Sequence, residues 1–162
     1  MSTRNREIAW EDPLLLAEAG RDLAGLDYLQ KLLRGELPPP PIAVLMNFRM
    51  RDVSEGRAVF VCHPAEYHYN PIGLVHGGLA ATLLDSAMGC AVHSTLPAGM
   101  GYTTLEIKVN YLRPLRSDRG EVTCEGTVIH RGSRTAMAEG RVTDTEGRLY
   151  AHASTTCLLL QS

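Results

Sequence analysis

The stretch YNPIGLVHGGLAATLLDSAMGCAVH, Tyr69 to His93, holds the residues best suited to chemistry. Asp85 is the only Asp, Glu, Lys or Arg between Glu66 and Glu106, and Leu83, Leu84, Ala87, Met88 and Cys90 surround it. An ionised carboxylate among apolar side chains is costly unless it is paired or hydrogen-bonded, and no basic residue lies nearby in sequence. Two readings are open. Asp85 could be satisfied by a neighbouring backbone or hydroxyl group, with Thr82 and Ser86 in reach. Alternatively, it could be a general base or nucleophile held in a cleft.

The two glycines upstream narrow the chemistry. Asn70-Pro71 opens a turn, and Gly73 to His76 lead into Gly77-Gly78 at the start of an apolar helical run. The first-turn amides of a helix lack intrahelical partners, and residues without Cβ let a ligand approach them, so this is a candidate oxyanion site. Close helix packing is the other use of such a pair. Neither a Walker spacing nor Gly-x-Gly-x-x-Gly after a strand is present, which argues against a phosphate loop. Gly77 and Asp85 are eight residues apart, so at the helical rise their backbones are separated by about 12 Å. One carbonyl cannot readily touch both in one chain. A two-fold dimer, with the amide from one subunit and the carboxylate from the other, is the simplest solution.

The elements that must position these groups can be read along the chain. Asp12-Pro13 is a cap followed by a first-turn proline, and the leucines from Leu14 to Leu16 form a helix ending at Gly20. Leu23, Leu26, Leu29, Leu32 and Leu33 predict a second helix up to Gly35, and Pro38 to Pro41 predict an extended connection. Residues 1–41 therefore read as a helical arm, and residues 42–162 as the domain proper. Phe48–Val53 and Arg57–Cys62 flank Ser54-Glu55-Gly56 as a hairpin. From Gly101 the sequence alternates, with Thr103, Leu105, Ile107, Val109 and Tyr111 on one face and Thr104, Glu106, Lys108 and Asn110 on the other. Strands follow at Glu121–His130, Thr135–Asp144 and Leu149–Leu160. The expectation is an α+β fold with one apolar helix wrapped by an antiparallel sheet.

Composition bounds the partners. The chain has 162 residues, enough for one real core, and 16 basic against 18 acidic residues give a net charge of −2. That balance offers no broad basic surface for nucleic acid and no polybasic tract for a membrane. The helical run is too short for a bilayer span and has an acid in its middle. The four cysteines have no Cys-x-x-Cys pair, no secretory signal is read, and His63, His68, His93, His130 and His152 show no metal-ligand spacing. A cytoplasmic protein with reduced thiols and no bound metal is expected.

Asn70-Pro-Ile-Gly73-Leu-Val-His76-Gly77-Gly78, followed by Asp85, resembles the signature of hot-dog-fold acyl-CoA thioesterases of the PaaI-like group, known from phenylacetic acid degradation. The likeness extends from about Leu45 to the C-terminus and includes the strand from Thr103 to Pro114. It implies a long central helix wrapped by the sheet, a homodimer and commonly a homotetramer, and acyl-CoA at the subunit boundary without any further cofactor. Carried over by position, the Gly77 amide polarises the thioester carbonyl, and Asp85 of the facing chain activates water or attacks directly. Asn70 orients the water or holds substrate, and Thr104 helps position the water. His76 shapes the loop more than it transfers protons. For Thr104, an ordinary strand threonine is the competing reading.

Arg113, Arg131 and Arg134 are candidates to meet the phosphates of CoA. Gly78 would border that ligand, and Leu84 and Met88 would line the acyl pocket. Apart from a thioesterase, the same fold could serve as a non-catalytic acyl-CoA-binding or sensing domain. Dehydratases of this fold carry a catalytic histidine in other motifs, and none leads into this helix.

Overall fold

The computed structural model describes residues 2–161. The arm begins as expected: the Asp12 carboxylate accepts from the Leu14 amide at 2.9 Å and caps α1, Pro13–Gly20. Helix α2, Gly25–Leu33, follows. The extended connection is shorter than expected, because Pro41 serves as the first helical residue of α3, Pro41–Met46, a helix the sequence reading omitted. Asn47 closes α3 in the left-handed conformation, which asparagine tolerates.

The strands are β1 (Phe48–Ser54), β2 (Arg57–Cys62), β3 (Met100–Tyr111), β4 (Val122–Arg131), β5 (Thr135–Asp144) and β6 (Leu149–Gln161). They form one antiparallel sheet in the order β1-β2-β4-β5-β6-β3, so β1 and β3 are its edges. The hairpin between β1 and β2 and the β4-β5-β6 meander match the sequence reading. Helix α4, Gly77–His93, lies across the inner face of this sheet and touches every strand. Leu79, Leu83, Leu84, Ala87, Met88, Ala91 and Val92 are all buried against it. Each fully buried leucine contributes about 1.5–3 kcal/mol, so this helix is the centre of the core.

Two details of this arrangement bear on the site, and the second overturns the strict alternation expected of the strand from Gly101 onward. The sheet does not close around α4: a stripe through Thr82, Asp85 and Ser86 stays open, and Asp85 is exposed in the single chain. The strand β3 also does not keep one face along its length. Its register against β6 shifts between Thr104 and Glu106. A bulge of this kind adds one residue and exchanges the two faces beyond it. Ile107 and Val109 pack on the core while Leu105 is 57% exposed. Before the bulge it is Tyr102 and Thr104 that turn inward.

The arm shares the same core. Leu29 is 1% exposed, and the Gly25 amide donates to the Leu96 carbonyl at 2.9 Å just beyond α4. No helix among the described residues is long and apolar enough to cross a membrane.

The β5–β6 turn carries a buried acid that sets a pH response. Burial pushes the Asp144 carboxyl up, but hydrogen bonds from the Arg148 side chain and amide, the Tyr150 hydroxyl and the Glu146 amide outweigh it and hold the group down at about 2. The folded pKa lies below the usual carboxylate value, so this stabilisation is present above roughly pH 4 and is lost as pH falls toward about 2. Asp144→Asn is therefore expected to lower the melting temperature at pH 6 and to narrow that gap to wild type progressively below pH 4. A pH-independent gap would contradict the assignment.

Candidate active site

The loop entering α4 is built to present that helix's first turn. The Asn70 side-chain oxygen accepts from the amides of Ile72 and Leu74, each at 3.1 Å, and the Asn70 amide donates to the Leu74 carbonyl at 2.8 Å. Gly73 sits in the turn at φ +79°, a conformation a side chain would disfavour. His68 braces the base of the loop: its Nδ1 accepts from the Ala65 amide, and its Nε2 donates to the Met46 carbonyl, each at 3.0 Å. Those two partners require the neutral ring, and burial pushes its pKa down in the same direction. The sequence reading weighed His68 only as a metal ligand. Its buried role was hidden because its partners are backbone groups.

His76 is the cap of α4, with Nδ1 accepting from the Gly78 amide at 2.8 Å. This gives His76 its loop-shaping place and occupies the Gly78 amide. Gly77 remains at the wall of a cleft of about 390 Å³, shared with Asn70, His76, Tyr111, Arg113 and Tyr150. Tyr111 went unassigned in the sequence, yet its ring would lie 3.0 Å from any Cβ at position 77, and its hydroxyl donates to the Gly77 carbonyl at 3.1 Å. A side chain at position 77 would press on the Tyr111 ring, which would have to shift to admit it. With its carbonyl fixed by Tyr111, the peptide plane that carries the next amide is held in place.

The second group lies along the open stripe. Thr104 Oγ1 donates to Asp85 Oδ1 at 2.9 Å, joining β3 to α4. Of the two readings for Asp85, the hydroxyl partner is therefore present, but it comes from the bulged strand and not from Thr82 or Ser86. Thr82 instead donates to the Gly78 carbonyl at 2.9 Å. One hydrogen bond to one carboxylate oxygen orients Asp85 and leaves its other oxygen facing the open side.

The remaining candidates divide between these places. Arg113 borders the Gly77 cleft, its guanidinium donating to the Leu149 carbonyl at 2.6 Å. Arg131 and Arg134 flank the β4–β5 turn, where Leu159 donates to the Arg134 carbonyl at 2.9 Å. That is the opposite end of β6 from Tyr150 and Ala151 at the cleft. Along β6, the partner of Tyr111 (Ala151) and that of Thr104 (Cys157) are six residues apart, about 20 Å of strand. Leu84 and Met88, expected to line the acyl pocket, are 0% exposed in the core beneath β5, where both approach Gly140. They face the sheet because the helix turns its Asp85 stripe the other way. Among the described residues no group of three or more His, Cys, Asp or Glu side chains is placed to hold a metal ion.

Comparison with known proteins follows the same outline. A family model described as the thioesterase superfamily matches residues 72–151, which span the entry loop, α4 and β3 to the start of β6. A protein of Halobacterium salinarum provisionally named an esterase is 44% identical over 69 residues, covering 41% of this chain and 44% of that protein. The alignment thus spans less than half of that relative's own length. The 1,4-dihydroxy-2-naphthoyl-CoA hydrolase of Listeria monocytogenes is 29% identical over 60% of this chain and 77% of its own. A solved structure from Ralstonia eutropha, described as a candidate thioesterase related to phenylacetic acid degradation, superposes with a TM-score of 0.73. That pair shares 28% identity over 81% of this chain and 98% of the other.

Proposed function

This chain belongs to the thioesterase superfamily, and we propose that it hydrolyses an acyl- or aryl-coenzyme A thioester to the free acid and coenzyme A. The observation that carries this reading is the contact between Thr104 Oγ1 and Asp85 Oδ1 on an otherwise apolar helix. It sets a carboxylate, with one oxygen held and one open, on a face the chain leaves uncovered.

In this reading the thioester carbonyl lies at the Gly77 end of one protomer, where the first-turn amide and the helix dipole stabilise the developing oxyanion. The partner's Asp85 takes a proton from water as the water oxygen attacks the carbonyl carbon. The C–S bond then breaks, and the coenzyme A sulfur leaves and is protonated. The two-fold arrangement is needed because Gly77 and Asp85 of one chain stand about 12 Å apart along the helix. Two features support it: the open stripe of α4, and the long outer edge of β3, which is available for pairing with another strand. Asn70 already spends its oxygen on the loop, so its contact with substrate or water falls to its amide nitrogen. Arg113 at the cleft, with Arg131 and Arg134 near the other half-site, would meet the phosphates of coenzyme A. The naphthoyl-CoA hydrolase among the relatives fits the same substrate class.

The test is a panel of acyl- and aryl-CoA thioesters incubated with the protein and a thiol reagent. Release of coenzyme A from at least one of them, above the buffer rate, is expected. Tight binding with no release would overturn the hydrolase in favour of a binding domain.

A further inference from the structure

A second cavity, of about 300 Å³, lies under the N-terminal arm. Leu32 and Leu33 of α2 and Ala43 of α3 form its roof, Met50 and Phe60 of β1 and β2 its floor, and Cys90 of α4 its wall. Its size falls within the range of pockets for small ligands, about 300–1,000 Å³, and it opens to solvent beside the exposed Gly35, Pro39 and Arg49. The family match begins at residue 72, so the entire roof comes from a segment the family model does not describe.

The cavity adjoins the open stripe of α4. Ser86 and Cys90 are four residues apart and share one side of the helix, and Ser86 follows Asp85 directly. From Ser86 to Cys90 is therefore about one helical turn, about 6 Å of rise, and from Asp85 to Cys90 about 7.5 Å. Cys90 is no rival nucleophile: burial, with a smaller contribution from the Asp85 charge, pushes its thiol up to about 12. It contributes an apolar wall. Among the described lining residues Arg49 alone is charged, and its guanidinium is paired with Glu121 at 3.6 Å on the outer surface.

We propose that this cavity receives the far end of the substrate's acyl group, so that the arm sets chain-length preference and the enzyme favours medium-length apolar acyl chains over acetyl. The proposal rests on the hydrolase reading. A thioester carbonyl beside Asp85 places the first carbons along the Ser86 stripe and the later ones past Cys90 into the space beneath Leu32 and Leu33. Acyl groups too short to pass Cys90 leave that apolar surface unused.

Two substitutions test the proposal from opposite sides. Ala43→Leu fills the cavity and Leu33→Ala enlarges it, with melting temperatures confirming that each variant is folded. The measured quantity is the ratio of kcat/KM for octanoyl-CoA to that for acetyl-CoA. Ala43→Leu should lower the ratio by about tenfold or more, the scale of one misplaced methylene in an apolar pocket. Leu33→Ala should move the optimum toward longer chains. An unchanged ratio in the folded variants, with wild type hydrolysing both substrates, overturns the cavity's role and leaves the hydrolase standing. If wild type hydrolyses other thioesters of the panel but neither of these two, the cavity's role is overturned and the hydrolase stands; if it hydrolyses none of the panel, the hydrolase reading fails. Calorimetry with the non-hydrolysable thioether octyl-CoA then decides the cavity separately: weaker binding by Ala43→Leu sustains it, and equal binding overturns it.

Discussion

Asp85→Asn is expected to lower turnover by about 10²–10⁴-fold, the usual contribution of a general base, while leaving the fold intact. The side chain is exposed in the single chain, so the substitution opens no cavity and strands no buried charge. Asparagine keeps the shape, and its carbonyl oxygen can still accept from Thr104 Oγ1, as Oδ1 of the aspartate does at 2.9 Å. What is lost is the basic oxygen. Coenzyme A release in steady state gives the size of the effect, and a melting curve confirms that the variant is folded. Turnover close to wild type in a folded asparagine variant would remove Asp85 from the chemistry. Single turnover of the wild type in ¹⁸O-water separates its two possible roles. Label recovered in Asp85 means that the carboxylate itself attacked and that water opened the resulting anhydride at the aspartyl carbon, whereas label only in the released acid together with no anhydride trapped by hydroxylamine means that water attacks with Asp85 as base.

Gly126→Ala is expected to cause one of the largest losses of stability that a single added methyl can cause in this chain. Gly126 lies in β4 where α4 crosses most closely. A Cβ there would land on the carbonyl of Ala87 and stand 2.6 Å from the Met88 amide nitrogen. All the obstructing atoms are helix backbone, so no rotamer change can relieve the clash and α4 must lift from the sheet. Overpacking against movable side chains costs about 1–3 kcal/mol. Against fixed backbone, a cost of about 3 kcal/mol or more is expected, placing the variant among the severe ones. For a domain of this size that corresponds to a fall of about 6–12 °C in Tm. Gly101→Ala is the control, since a Cβ at position 101 meets nothing within 4 Å. Equal melting temperatures for the two variants would mean that α4 does not sit on β4 as described.

These predictions draw on features of different legibility. The cap at Asp12, the hairpin at Glu55-Gly56 and the turns of the β4-β5-β6 meander are local, and residue type alone announced them. The helix from Gly77 to His93 was equally plain from its uninterrupted apolar run. Helix α3 was missed because a proline tract usually signals extended chain, yet its last member is acceptable at the first helical position. Tyr111 and His68 went unnoticed because each serves the site through a backbone partner, and nothing in a tyrosine at a strand end or a histidine in a loop shows which carbonyl or amide it will meet.

The sequence by itself determined that an acid and a pair of glycines share one helix, and that they are too far apart along it to act on one atom from a single chain. Helical rise is a local constant, so that conclusion needed no coordinates. Which side of the helix stays open was decided only by the tertiary structure. An all-apolar helix carries no marker of the stripe its sheet leaves uncovered, and α4 buries Leu84 and Met88 while exposing Asp85. The partner of that acid was hidden for the same kind of reason. Strict alternation put Thr104 on the face opposite Ile107 and Val109, and a one-residue bulge, created by pairing with a strand some fifty residues away, turned it inward to the carboxylate. Pairing across such distances depends on how the whole sheet closes, which no short window of sequence contains.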